Sequence, residues 1–131
     1  QAEPIYRKVL ENREKLLGPE HPETLSSMGN LSNLLKDKGN LKEAEPFYRK
    51  VLEIREKLLG PEHPKTLSSM SSLASLFKDK GNLKEAETLY RKVLEAREKL
   101  LGPEHPDTLS SISSLTIILK QRVKLFSMIQ K

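Results

Sequence analysis

Three histidines, His21, His63 and His105, recur at intervals of 42 residues in a chain of 131 residues. Imidazole is the commonest metal ligand, so a recurring histidine raises a metal site first. Packed helices lie about 8–10 Å apart, so equivalent side chains one two-helix repeat apart cannot meet on an ion whose ligands sit at about 2.1 Å. The expectation for the histidines is therefore loop and helix-start packing, with no metal and no cofactor. Serines gather at Ser68, Ser69, Ser71, Ser72 and Ser75. A serine nucleophile needs an adjacent base and a group that orients the base. Three histidines in repeat-related loops do not assemble that set, and the chain has no cysteine to act as nucleophile or thiolate ligand. The expectation is no enzyme and no small-molecule substrate. What remains are amides, hydroxyls and ammonium groups, which suit hydrogen bonding to a partner.

The elements that would position these groups follow from an internal repeat. Leu-Leu-Gly-Pro-Glu-His-Pro occurs at 16–22, 58–64 and 100–106, and Tyr-Arg-Lys-Val-Leu-Glu at 6–11, 48–53 and 90–95. Both strings give a period of 42, a length typical of helical solenoids. Roughly three quarters of positions agree between 23–59 and 65–101.

Each period reads as two helices. In the first, from about Pro22 to Lys38, Leu25, Met28, Leu31, Leu34 and Leu35 form a one-sided stripe. Pro22 suits the first turn, where a missing N–H costs nothing, and Gly39 suits a positive-φ stop. Asn40 is expected to cap the next helix, with Glu43 reaching back in a capping box. In that second helix, from about Leu41 to Leu59, the expected buried face is Leu41, Ala44, Tyr48, Val51, Leu52, Leu58 and Leu59. Tyr6 and Tyr90 share the core position of Tyr48. Glu53 with Lys57, Glu11 with Lys15 and Glu95 with Lys99 are spaced as outer-face pairs worth a few tenths of a kcal/mol. Gly60-Pro61 ends the helix, and Gly81-Asn82, Glu85 and Gly102-Pro103 repeat the pattern. Neither helix buries its stripe alone, so hairpins must stack.

Composition narrows the class further. Apolar residues make up 36% and aromatics 5%, which suits a thin stack better than a sphere. No apolar run approaches the roughly 20 residues of a membrane span, no secretory signal is visible, and cytoplasmic location is the expectation. Net charge is +5, of which Lys120, Arg122, Lys124 and Lys131 supply +4 with no acidic residue after Asp107. The repeats thus lack the basic stripe that nucleic-acid binding needs, and membrane and nucleic-acid partners are disfavoured.

These residues resemble the tetratricopeptide repeat (TPR) family, in the 42-residue form of kinesin light chains. The resemblance covers residues 1–119 and is carried by Leu31, Gly39-Asn40-Leu41, Ala44 and Tyr48, repeated as Leu73, Gly81-Asn82-Leu83, Ala86 and Tyr90. It implies an all-α, right-handed α-α superhelix, a TPR-like solenoid of about six antiparallel helices. One domain over 1–131 would hold a partial repeat 1–21, repeats 22–63 and 64–105, and a divergent C-terminal helix 106–131. The family's early large aromatic is replaced by Met28, Met70 and Ile112, and its small residue by Ser32, Ala74 and Thr116. Gln1 aligns with Glu43, so the chain reads as cut from, or ending, a longer array. Gly81-Asn82 becomes Val123-Lys124, so the last helix should run on from about Pro106 to Met128.

The resemblance also implies protein–protein interaction, with a peptide or partner segment along the concave wall of first helices. Asn30 and Asn33 match asparagines that bind a peptide backbone in kinesin-light-chain-like repeats; the next copies carry Ser72 and Ser75, then Ser114 and Ile117. The candidate peptide-binding residues are Asn30, Asn33, Lys36, Ser72, Ser75 and Lys78. Lys36, Lys78 and Lys120 would favour an acidic peptide. The alternative function is self-assembly into a homo-oligomer, through open solenoid ends or the basic amphipathic C-terminal helix. There the oligomerisation candidates are Leu125, Phe126 and Ile129, in a stripe with Leu115, Ile118, Leu119 and Arg122, while Lys120, Lys124, Ser127 and Lys131 lie elsewhere on the helix. The simpler role for this helix is to cover the end of the stack.

Overall fold

In the computed structural model the described residues are 2–130; Gln1, aligned above with Glu43, and Lys131, counted above in the basic tail, lie outside them. The described residues form six helices and no strand: α1 (Ala2–Leu17), α2 (Pro22–Asp37), α3 (Leu41–Leu59), α4 (Pro64–Asp79), α5 (Leu83–Leu101) and α6 (Pro106–Gln130). This is the all-α, TPR-like helical-repeat architecture that the 42-residue period predicts. The chain divides into two compact units, Gln1–Ser69 and Met70–Lys131, and the division falls within α4.

In the first unit α2 packs on both α1 and α3. Its apolar stripe is buried at Leu25, Met28, Leu31 and Leu35. Each such side chain contributes roughly 1.5–3 kcal/mol on leaving water. Ala44 is fully buried in α3, beside buried Tyr48 and Val51. In the second unit α5 packs on α6, with Ala86, Tyr90 and Val93 of α5 and Leu115 and Ile118 of α6 buried.

Helix ends follow from single residues. Gly39 takes φ 85°, its N–H donates to the Lys36 carbonyl (2.9 Å), and the Asn40 N–H donates to the Leu35 carbonyl (2.8 Å). This is the Schellman motif, which satisfies carbonyls left over at the end of α2. Gly81 and Asn82 repeat it on Lys78 and Phe77.

The expected capping box does not form. Asn40 and Asn82 stand at the N-cap positions of α3 and α5, but neither side chain makes a capping bond. The Asn40 N–H that a box would use is committed to Leu35, and Glu43 instead accepts a 2.7 Å bond from Arg7. Helix starts are capped elsewhere, by the histidines. Nδ1 of His21, His63 and His105 accepts the backbone N–H of Glu23, Lys65 and Asp107 at 3.1, 3.1 and 3.0 Å. Each imidazole supplies the acceptor that Ser, Asp or Asn more often provides.

Other departures have local causes. Leu58 and Leu59, in the last turn of α3, are exposed, not buried, and border an open hollow with Leu25. Lys57 leaves Glu53 and reaches Glu20 at 2.6 Å, while Lys15 keeps Glu11 at 3.6 Å. Tyr6 is 39% exposed against 5% for Tyr48, because α1 has no helix before it in the structure. The run-on of α6 occurs as expected, to Gln130, but residues 121–130 are all exposed. That stretch therefore covers little.

Candidate functional site

Asn30, Asn33 and Lys36 recur every third residue along α2, so they spread over one broad side of that helix. Asn30 and Asn33 are exposed and Lys36 is half-buried. Asn33 is not free to rotate: its Oδ1 accepts a short hydrogen bond from the Tyr48 hydroxyl. With the carbonyl oxygen engaged by Tyr48, the donor capacity of this exposed amide lies in its NH2 group. Val51 and Ala44 fix the α3 face that carries Tyr48, so packing in the first unit sets the pose of this amide.

The second unit repeats the arrangement with hydroxyls. The Tyr90 hydroxyl meets both Ser75 of α4 and Ser114 of α6. Burial pushes its pKa above the ordinary phenol value, and the two serine bonds oppose that rise. Ser72, Ser75 and Lys78 are half-buried on α4. Ile117 of α6 falls where α2 has Asn33, and no amide is offered there. Within each unit, then, a buried tyrosine props polar residues of the first-helix row.

Sequence reasoning missed a second set of polar contacts. Arg13 Nη1 donates to the Glu23 carbonyl (3.2 Å) and to Ser27 Oγ (2.7 Å). Arg55 does the same with Lys65 (3.4 Å) and Ser69 (2.8 Å), and Arg97 with Asp107 (3.3 Å) and Ser111 (2.8 Å). Each arginine ties the end of one helix to the first turns of the next. Desolvation holds the Arg55 pKa below the ordinary guanidinium value, as expected for a charge used inside a joint. The signal was present as an arginine followed 14 residues later by a serine, three times over. Beside Arg55 lies a hollow of about 240 Å³, lined by Leu25, Leu58, Leu59 and His63 among others.

The C-terminal candidates lie apart from these rows. Leu125, Phe126 and Ile129 border a shallow hollow with Asn82, Leu83 and Glu85 at the start of α5. Arg122 anchors this end of α6 through Glu87. Among the described residues, no helix is long and apolar enough to cross a membrane.

Paired helices, glycine stops and tyrosine-backed rows on the first helix of each pair define a helical-repeat scaffold. The comparison with known proteins agrees: a tetratricopeptide repeat family model matches residues 1–57, 30–99 and 71–122, and the chain belongs to that family. The chain is similar to solved structures of a Podosopora anserina protein described as a kinesin light chain with nearly identical TPR-like repeats. One shares 29% identity at a TM-score of 0.86, over 98% of this chain and 61% of that one. A single-substitution form shares 32% at 0.82, over 89% and 55%. BtubC (BKLC) of P. vanneervenii shares the fold at 21% identity and a TM-score of 0.82, over 91% of this chain and 48% of that one. The chain thus spans about half to three fifths of the length of these structures. No curated protein matches it. Tetratricopeptide repeats are in general protein-interaction scaffolds.

Proposed function

We propose that this chain holds an extended segment of a partner protein against the first-helix rows, in the concave groove expected of a TPR solenoid. The carrying observation is Asn33, an exposed amide whose oxygen is fixed by Tyr48. An extended peptide presents a carbonyl and an N–H every 3.2–3.4 Å or so along its length, with no partners of its own. A pre-oriented amide donor binds such a carbonyl at little further entropic cost. Asn30 adds a second amide, Ser72 and Ser75 add hydroxyls, and Lys36 and Lys78 favour acidic side chains on the segment. The role is binding, not catalysis. Association between copies, the alternative function, would use other faces of the helices.

An immobilised peptide array tests this reading at low salt and at about 150 mM salt, where surface charge is screened over about 8 Å. The expected result is a defined motif that survives salt. Replacing Asn30 and Asn33 with alanine should weaken it by about 5- to 150-fold, the loss of two hydrogen bonds of roughly 0.5–1.5 kcal/mol each. Absence of a motif, or binding of acidic peptides that vanishes with salt, overturns it.

A further inference from the structure

The hollow beside Arg55 is lined by leucines and rimmed by cations, and the first-helix row does not use it. It opens where the start of α2, the end of α3 and the start of α4 come together. Leu25 of α2 and Leu58 and Leu59 of α3 form its apolar wall. Leu58 is 51% and Leu59 43% exposed, although Leu25 beside them is buried. A leucine pair is exposed in the other copies too, at Leu16-Leu17 and Leu100-Leu101, so exposure alone marks nothing.

Charge sets this hollow apart. Lys65 on its rim stands where the other copies carry Glu23 and Asp107. The helix dipole favours an acid in the first turn, so helix stability does not account for a lysine at the start of α4. Arg55 lies beside it. One Nη1 donates to the Lys65 carbonyl and to Ser69, and among the described residues no carboxylate pairs with this desolvated guanidinium. His63 Nδ1 accepts the Lys65 N–H, so its Nε2–H remains a donor. Glu20, the acid in the lining, is held by Lys57 at 2.6 Å. The hollow thus offers apolar surface and two cations, with its own acid already engaged.

We propose that this hollow binds a small organic acid, its aromatic or branched aliphatic body seated on Leu25, Leu58 and Leu59 and its carboxylate on Arg55 and Lys65. An apolar cavity of about 150 Å³ accepts benzene, so a hollow of about 240 Å³ has room for one ring and a short tether. Removing the leucine surface from water drives the seating, and a guanidinium takes a carboxylate through paired N–H groups. The ligand's charge stands in for the acid that Glu23 and Asp107 bring at this position in the other copies. The ligand is held and not converted. This inference is independent of peptide binding, because Asn30, Asn33 and Lys36 lie outside the lining.

The test titrates the full chain with phenylpropanoate at neutral pH and follows leucine methyl and backbone NMR signals. A ligand of this size should bind with a Kd of about 0.1–3 mM, shifting Leu58 and Leu59 saturably and leaving Asn33 in place. Phenylpropanol, with the same body and no charge, should bind about threefold or more weaker, and acetate should give no saturable shift at the leucines. Lys65→Glu, which restores the residue type of the first copy, should weaken binding about threefold or more while keeping the helical circular dichroism. Leu58→Gln, at an exposed position, should do the same by removing apolar wall. Asn33→Ala should leave binding unchanged. The proposal is overturned if no saturable shift occurs up to about 20 mM, if the alcohol binds as well as the acid, or if Lys65→Glu binds equally. It is also overturned if a blocked Leu-Asp dipeptide moves Leu58 and Leu59 while phenylpropanoate does not, an outcome that would make the hollow a protein-docking site.

Discussion

The end of α2 and the equivalent point of α6 hold the same place in the repeat and do opposite things. Lys38-Gly39-Asn40 turns the chain, while Arg122-Val123-Lys124 lets the helix continue to Gln130. The ion pair at this position is kept in both places: Lys38 meets Glu3, and Arg122 meets Glu87. Side-chain pairing therefore does not decide where the helix stops. The difference is backbone. Gly39 enters the left-handed region at φ 85°, where two N–H groups fold back onto the last carbonyls. A β-branched valine resists that region, and the i→i−4 ladder continues instead. One residue type thus separates a repeat that closes on its partner helix from ten exposed residues of run-on helix.

The largest expected effect comes from moving the valine. Gly39→Val should cost about 1–3 kcal/mol, the strain of a bulky residue at positive φ, seen as a lower urea midpoint. An unchanged midpoint would show that the turn does not need its glycine. Next, Val123→Gly with Lys124→Asn should install the stop in α6. Amide exchange protection beyond residue 122 should fall, while global stability should move by less than about 0.5 kcal/mol, since residues 121–130 are all exposed. Retained protection there would mean that the missing glycine is not why α6 runs on.

The smallest effect concerns the shared ion pair. Bonds from Lys38 first and Arg7 second hold the Glu3 carboxyl below the ordinary carboxylate range, and Arg91 then Arg122 do the same for Glu87. A depressed folded pKa stabilises above the unfolded value and is lost as pH falls through the folded one. Glu3→Gln and Glu87→Gln should each flatten the loss of thermal stability below the ordinary carboxylate range, by similar small amounts because both pairs are near the surface. A large effect at one site alone would break the equivalence of the two positions.

Helix number, order and limits were legible in the sequence because Gly-Pro and Gly-Asn punctuate a strong 3.6-residue stripe. The run-on of α6 was legible for the same reason, from the absence of a glycine. What escaped were bonds that depend on where two helices meet. The Arg13–Ser27 tie and the Tyr48–Asn33 bond join residues 14 and 15 apart, and only the packed hairpin brings them into reach. The capping box failed for a related reason: the Asn40 N–H could serve the end of α2 or the start of α3, and the motif alone did not say which. Asn33 could be singled out as a candidate from the sequence, but its bond with Tyr48 was visible only in three dimensions.

The histidine caps give this molecule a set of internal observers. Each Nδ1 accepts a hydrogen bond from a backbone N–H at the start of its own helix, which leaves the ring proton on Nε2. Fraying of α2, α4 or α6 at that end releases one ring and lets its tautomers mix. Nitrogen shifts of His21, His63 and His105 can thus record the opening of three helix starts separately, in one sample and without any foreign label.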